Sequence, residues 1–224
     1  MFFWDPTMIL LLPAILLALW AQMKVKSTYS HWAEVPVARR ITGAKAAELI
    51  LSANGLSVNV ERIPGALSDH YDPRKRILRL SQAVFDSPSV AAVGIAAHEC
   101  GHAIQHGRAF FPLAIRNAIV PVVSIGSNLA FPLFIAGIFF SLPILMKIGI
   151  LLFAGAVLFH LITLPVEFNA SRRAIAVLND MQILSPDELN GAKKVLNAAA
   201  MTYVAAAAMA ILNLLRLLFL SRRR

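Results

Sequence analysis

Val90-Ala91-Ala92-Val93-Gly94-Ile95-Ala96-Ala97-His98-Glu99-Cys100-Gly101-His102-Ala103-Ile104 is the stretch on which the reading of this chain turns. It is apolar and rich in alanine, the best helix former, and reads as helix. Four helical residues rise about 6 Å and turn slightly past one revolution, so His98 and His102 project from one face. Their rings are then close enough to share a divalent cation. Glu99 follows the first histidine and flanks that position without needing to bind the ion. The rival reading is a buried helix whose polar groups are simply satisfied. The context favours the metal: Ala92, Gly94, Ala96, Ala97, Gly101 and Ala103 keep the helix slim, so other elements can approach. Ser87-Pro88 reads as an N-cap with proline in the first helical position, and Gly107 as the stop.

H-E-x-x-H on a helix is the pattern of zinc-dependent peptide hydrolysis. The carboxylate after the first histidine takes a proton from an attacking water and passes it to the leaving amine. Cys100 sits about 200° around the helix from His98 and reads as packing. His106 extends the series but lies about 12 Å along the axis from His98, too far for one ion. Catalytic zinc usually takes three protein ligands. The long form H-E-x-x-H-x-x-G-x-x-H is excluded, because Gln105 and Arg108 occupy its last two positions. A distant acid must serve instead. Of Glu167, Asp180, Asp187 and Glu188, Glu167 follows directly on a long apolar run, where an unpaired carboxylate would be expensive. Asp187 and Glu188 follow Ser185-Pro186 and read as capping charges, with Ser185 and Glu188 as a capping box. The expected ligand set is His98, His102 and Glu167. A salt bridge from Glu167 to Arg172 or Arg173 is the competing possibility.

His98-Glu99-Cys100-Gly101-His102-Ala103-Ile104-Gln105, followed by Pro165-Val166-Glu167-Phe168-Asn169-Ala170-Ser171-Arg172-Arg173-Ala174, resembles the bacterial neutral zinc metallopeptidases of the YugP type. Gly65 to Pro73, Leu80-Ser81 and Ala199 to Ala206 match as well, so the likeness covers nearly the whole chain. The resemblance implies a multi-pass membrane protein with one catalytic Zn²⁺. More distantly the chain is similar to HtpX-like membrane proteases, whose third ligand opens an E-x-x-A-D pattern. Here Ser171 stands where that pattern has aspartate.

Composition agrees with a membrane protein: 58% of the 224 residues are hydrophobic, against about 45–50% in soluble domains. Residues 6–23 carry no charge and are long enough to span. Trp4 and Trp20 suit interfacial anchors, and the flanking Asp5, Lys24 and Lys26 favour a retained anchor over a cleaved leader. From Asn117 to Val166 the only charge is Lys147, which gives two spans near 118–140 and 143–165 around a turn at Ser141-Leu142-Pro143. Pro121, Pro132 and Pro143 would kink or bound them. Residues 166–197 form a helical segment carrying the third ligand, and 198–220 a final span. Positive charge at Lys24, Lys26, Arg39, Arg40, Arg108, Arg116, Arg172, Arg173, Lys193 and Lys194 places the site on the cytoplasmic side. The net charge of +9 is explained by lipid headgroups rather than nucleic acid, for which there is no motif. One cysteine permits no internal disulfide.

Residues 24–117 are the main extramembrane piece. Thr42-Gly43-Ala44 opens a helix ending at Asn54-Gly55. Val58 to Ile63 reads as a strand and Arg76 to Leu80 as its hairpin partner, across a loop of 64–74. Such a strand offers either an edge for an extended peptide or a structural cover for the metal helix. His70, Tyr71, Asp72, Tyr203 and Arg173 are candidates for contacts to the transition state or for orienting a ligand, and the sequence does not choose among them. The expected fold is a mainly α membrane protein of about four transmembrane helices with a small α+β zincin-like cytoplasmic domain. The expected activity is a zinc endopeptidase acting on protein or peptide substrates at the bilayer. A non-catalytic membrane scaffold or chaperone with a structural metal is the alternative.

Overall fold

The computed structural model describes residues 6–65 and 68–222. A 3-10 turn, Pro6–Leu11, leads into α1 (Leu12–Ala33). Then follow α2 (Gly43–Ala53), β1 (Asn59–Ile63), β2 (His70–Asp72), β3 (Ile77–Ser81) and the short α3 (Gln82–Phe85). Four helices complete the chain: α4 (Val90–Gly107), α5 (Phe111–Phe139), α6 (Pro143–Asp180) and α7 (Pro186–Arg222). Trp4 and Asp5 lie outside the described residues. The chain divides into two compact units. One comprises the residues up to Ala21, Ala114–Pro165 and the residues from Met201; the other comprises Gln22–Leu113 and Val166–Ala200.

In the first unit the helices are long and apolar enough to cross a membrane. Counted with their continuations, four such helices among the described residues span Thr7–Ala33, Phe111–Phe139, Pro143–Asp180 and Pro186–Arg222. Large side chains point outward: Leu16, Val122, Ile125 and Leu151 are all exposed. The interior is close-packed through glycine, a Cβ on Gly149 falling 2.6 Å from the Ala130 carbonyl oxygen. Pro121 and Pro132 lie inside α5, while Pro143 begins α6 after a turn that holds Ser141 at positive φ. The turn is where the sequence placed it. Positions 165/166 and 197/198, expected as boundaries between span and cytoplasmic segment, fall inside the unbroken α6 and α7.

The second unit inverts this pattern. Val37, Ile50, Leu51, Leu78, Leu80, Val93, Leu178, Ile183 and Leu196 form a buried core around α4. Thr42 caps α2 as expected, its hydroxyl accepting from Lys45 N, and Gly55 follows the helix at positive φ. Cys100 packs inward with its thiol donating to the Ala47 carbonyl of α2. Ser185 and Glu188 form the expected capping box at the start of α7, Glu188 Oε2 accepting from Ser185 N at 2.7 Å.

Two expectations are corrected here. The segments at 58–63 and 76–80 do not form a hairpin: β1 runs parallel to β3, and the intervening loop supplies β2, antiparallel to β3, giving the order β1-β3-β2. A parallel pair needs a crossover, and the loop is long enough to make one and add a strand on the way. The cap of α4 is Ser89, whose hydroxyl accepts from Ala92 N, rather than Ser87. Val37 N donates to Pro88 O and Val90 N to Val35 O, which holds residues 88–89 extended and delays the helix by two positions.

Candidate metal centre

The centre is built where α4 meets the part of α6 beyond Pro165. A Cβ on Gly101 would stand 2.5 Å from the Ala170 carbonyl oxygen, so only glycine permits this approach of two backbones. A Cβ on Gly94 would stand 3.2 Å from the Ala192 Cβ of α7, so a small residue is favoured there too. The slim face read from the sequence is therefore a docking face, and it brings Glu167 over the two histidines. Glu167 Oε2 lies 3.3 Å from His98 Nε2 and 3.6 Å from His102 Nε2. One donor atom from each of the three residues falls within 4.8 Å of the others. Two ligands held about 2.0–2.1 Å from a tetrahedral ion stand about 3.3 Å apart. The two histidine–glutamate spacings have about that size, and a His₂Glu donor set is suited to zinc.

Each imidazole is held from behind. Ser171 Oγ sits 3.1 Å from His98 Nδ1. Ser171 lies one helical turn beyond Glu167 on α6, so a hydroxyl occupies the place where an E-x-x-A-D pattern would bring a carboxylate. Gln105 Oε1 sits 3.0 Å from His102 Nδ1. With both Nδ1 atoms engaged, the Nε2 atoms face Glu167. Glu167 itself is buried, its side chain only 3% exposed, where a lone charge would be costly and a cation between it and the rings would offset that cost. Glu99 is also buried, next to His98 on α4. Burial, with the Glu99 charge second, pushes the Cys100 thiol well above its ordinary range, which keeps it protonated and unreactive.

The remaining candidates have partners of their own. Tyr71 OH is 2.9 Å from Nδ1 of His106, tying β2 to the end of α4. Burial raises the Tyr71 phenol, so it stays neutral. His70 donates through Nδ1 to Ser68 O and is exposed. Asp72 accepts from the Lys75 and Arg74 amides and from Arg79, with the Lys75 amide the foremost cause of its lowered pKa. Arg173 donates through Nε to Asn169 Oδ1 at 2.7 Å, and its guanidinium lies over the Phe110 ring. Tyr203, exposed, belongs to the other unit.

Three residues at the centre were not singled out from the sequence: Gln105, Asn169 and Ser171 as a partner of His98. Gln105 is one turn after His102, and Ser171 is one turn after Glu167. That i, i+3/i+4 spacing from a ligand is the signal that would have found these two, and Asn169 has no such spacing.

The family comparison agrees with this chemistry. A family model described as "Putative neutral zinc metallopeptidase" matches residues 7–222. The chain belongs to that family. It is 45% identical over 217 residues, 96% of each chain, to "Putative membrane protease YugP" of Bacillus subtilis (strain 168). No solved structure matches it.

Proposed function

We propose that this chain is a membrane-embedded, zinc-dependent endopeptidase that hydrolyses peptide bonds of protein substrates at or near the bilayer. The observation that carries the reading is the convergence of His98, His102 and Glu167, with Glu99 on the same helix as the two histidines. The donor set offers three protein ligands, whereas structural zinc is usually closed by four, so a position remains for the reacting groups. A zinc ion there would supply Lewis acidity for activating water and polarising the scissile carbonyl. Glu99 takes the proton from the attacking water and delivers it to the leaving amide nitrogen, general base and then general acid in one residue. Ser171 and Gln105 engage the Nδ1 atoms of the two imidazoles, which leaves the Nε2 atoms as those that would hold the ion.

The membrane arrangement belongs to the same proposal. Residues 6–23, 118–140, 143–165 and 198–220 cross the bilayer. Residues 24–117 and 166–197 together make a small zincin-like domain on the cytoplasmic side, the side that collects most of the lysines and arginines near the span ends, with Arg222, Arg223 and Arg224 the exception. The test is casein cleavage by detergent-purified protein with zinc content measured in parallel. Glu99→Gln should keep the metal and lose hydrolysis. Cleavage at the wild-type rate in that variant would end the proposal.

A further inference from the structure

We propose that Gln105 is a positioning residue that holds His102 in the tautomer with its proton on Nδ1, and that Asn169 and Arg173 fix which way round the Gln105 amide sits. Gln105 is fully buried, with no exposed surface, so its amide must be satisfied by protein groups. Its Nε2 is 2.8 Å from the Val166 carbonyl oxygen, which can only accept. The same nitrogen is 3.0 Å from Asn169 Oδ1. The identity of that Asn169 atom is settled by Arg173, whose Nε–H, 2.7 Å away, can only donate. An acceptor-only carbonyl and a donor-only guanidinium therefore reach the same conclusion independently. Both hydrogens of the Gln105 amide are directed at α6, and the end facing His102 is oxygen.

An amide oxygen can only accept, so His102 Nδ1, 3.0 Å from it, carries the proton. Nε2 is then the atom left for an ion lying between it and Glu167 Oε2, 3.6 Å away. Turning the Gln105 amide over would set its oxygen against two acceptors, Val166 O and Asn169 Oδ1, and turning Asn169 over as well would set its amide hydrogens against the donor Arg173 Nε. His98 has no such lock. Its partner, the Ser171 hydroxyl, donates or accepts as required, so the chain controls His102 more tightly than His98. Arg173 thus acts on the metal face from the far end of a three-residue chain.

The tautomer is read from the protein alone; its consequence for ion binding rests on the metal reading above. The experiment uses full-length, metal-free protein in detergent with ¹⁵N-labelled histidine, at about pH 8, above the usual imidazole range. Long-range proton–nitrogen spectra report which ring nitrogen bears hydrogen, and the His102 signal is the one absent from His102→Gln. Wild type and Asn169→Asp, which keeps the acceptor oxygen, should show Nδ1–H. Gln105→Leu and Asn169→Leu should lose that preference. Zinc titration against a competing chelator should show affinity about 10–100-fold weaker in the two leucine variants. Nε2–H in the wild type would overturn the proposal even if every variant failed to fold, as would unchanged zinc affinity in Gln105→Leu. Nδ1–H in a wild type that binds no zinc would uphold the tautomer and remove the peptidase reading instead.

Discussion

The two units use the same apolar residues in opposite senses. In the unit that contains α5, Leu151 is 72% exposed, while in the unit that contains α4, Leu80 is fully buried. Both are leucines in regular elements, and composition alone would not separate them. What separates them is the neighbourhood. The first unit packs helix on helix through glycine and leaves its large side chains outside. The second closes a core over α4 and carries all three metal-ligand candidates. A polar centre can be buried only where the surrounding apolar groups face inward.

The sharpest way to exploit the contrast is at the centre itself. Glu99→Gln should lower peptide hydrolysis on the order of 10²–10⁴-fold, the usual worth of a positioned general base, with the melting temperature unchanged. A matched pair then tests burial directly. Leu80→Ala should cost about 2–5 kcal/mol in thermal or denaturant unfolding. Leu151→Ala in detergent should cost far less. Equal losses would break the division into inward- and outward-facing units. Gly101→Ala puts a methyl group against the Ala170 backbone and should cost about 1–3 kcal/mol. It should also weaken zinc binding, because the two ligand-bearing helices must part. Gly55→Ala, at a positive φ with open space around it, should cost stability without touching the metal.

The smallest effect concerns Asp72. Its carboxyl is held below the usual range, first by the Lys75 amide, so its contribution is present above the unfolded carboxyl pKa of about 4 and fades as pH falls through the folded value. The difference in melting temperature between wild type and Asp72→Asn should therefore hold from neutral pH down to about 5 and narrow below 4. A difference that grows on acidification would contradict the role of the turn.

The same contrast explains what could be read in advance. His98, His102 and Glu167 stood out because ligating side chains are rare in apolar sequence and the first two have a fixed helical spacing. The four long apolar helices were legible for the same reason: length and hydropathy are local properties. The sheet was misread because β2 is three polar residues, His70–Asp72, with no alternation to mark them, and its pairing depends on β3. The α4 cap was misplaced by two residues because Ser87 and Ser89 are equally good caps locally, and the choice is made by Val37, some fifty residues earlier. Gln105 has the spacing of a ligand's neighbour, but neither it nor Asn169 is a residue type that a metal motif would flag. Their meaning lies in a meeting between residues more than sixty positions apart.

The central claim is that His98, His102 and Glu167 hold one ion together. Elemental analysis of detergent-purified wild type, Glu167→Ala and His98→Ala, each checked for helical content, tests it most directly. The account predicts one zinc per wild-type chain and close to none in either variant with helicity intact. A folded Glu167→Ala protein that keeps its full zinc would contradict it.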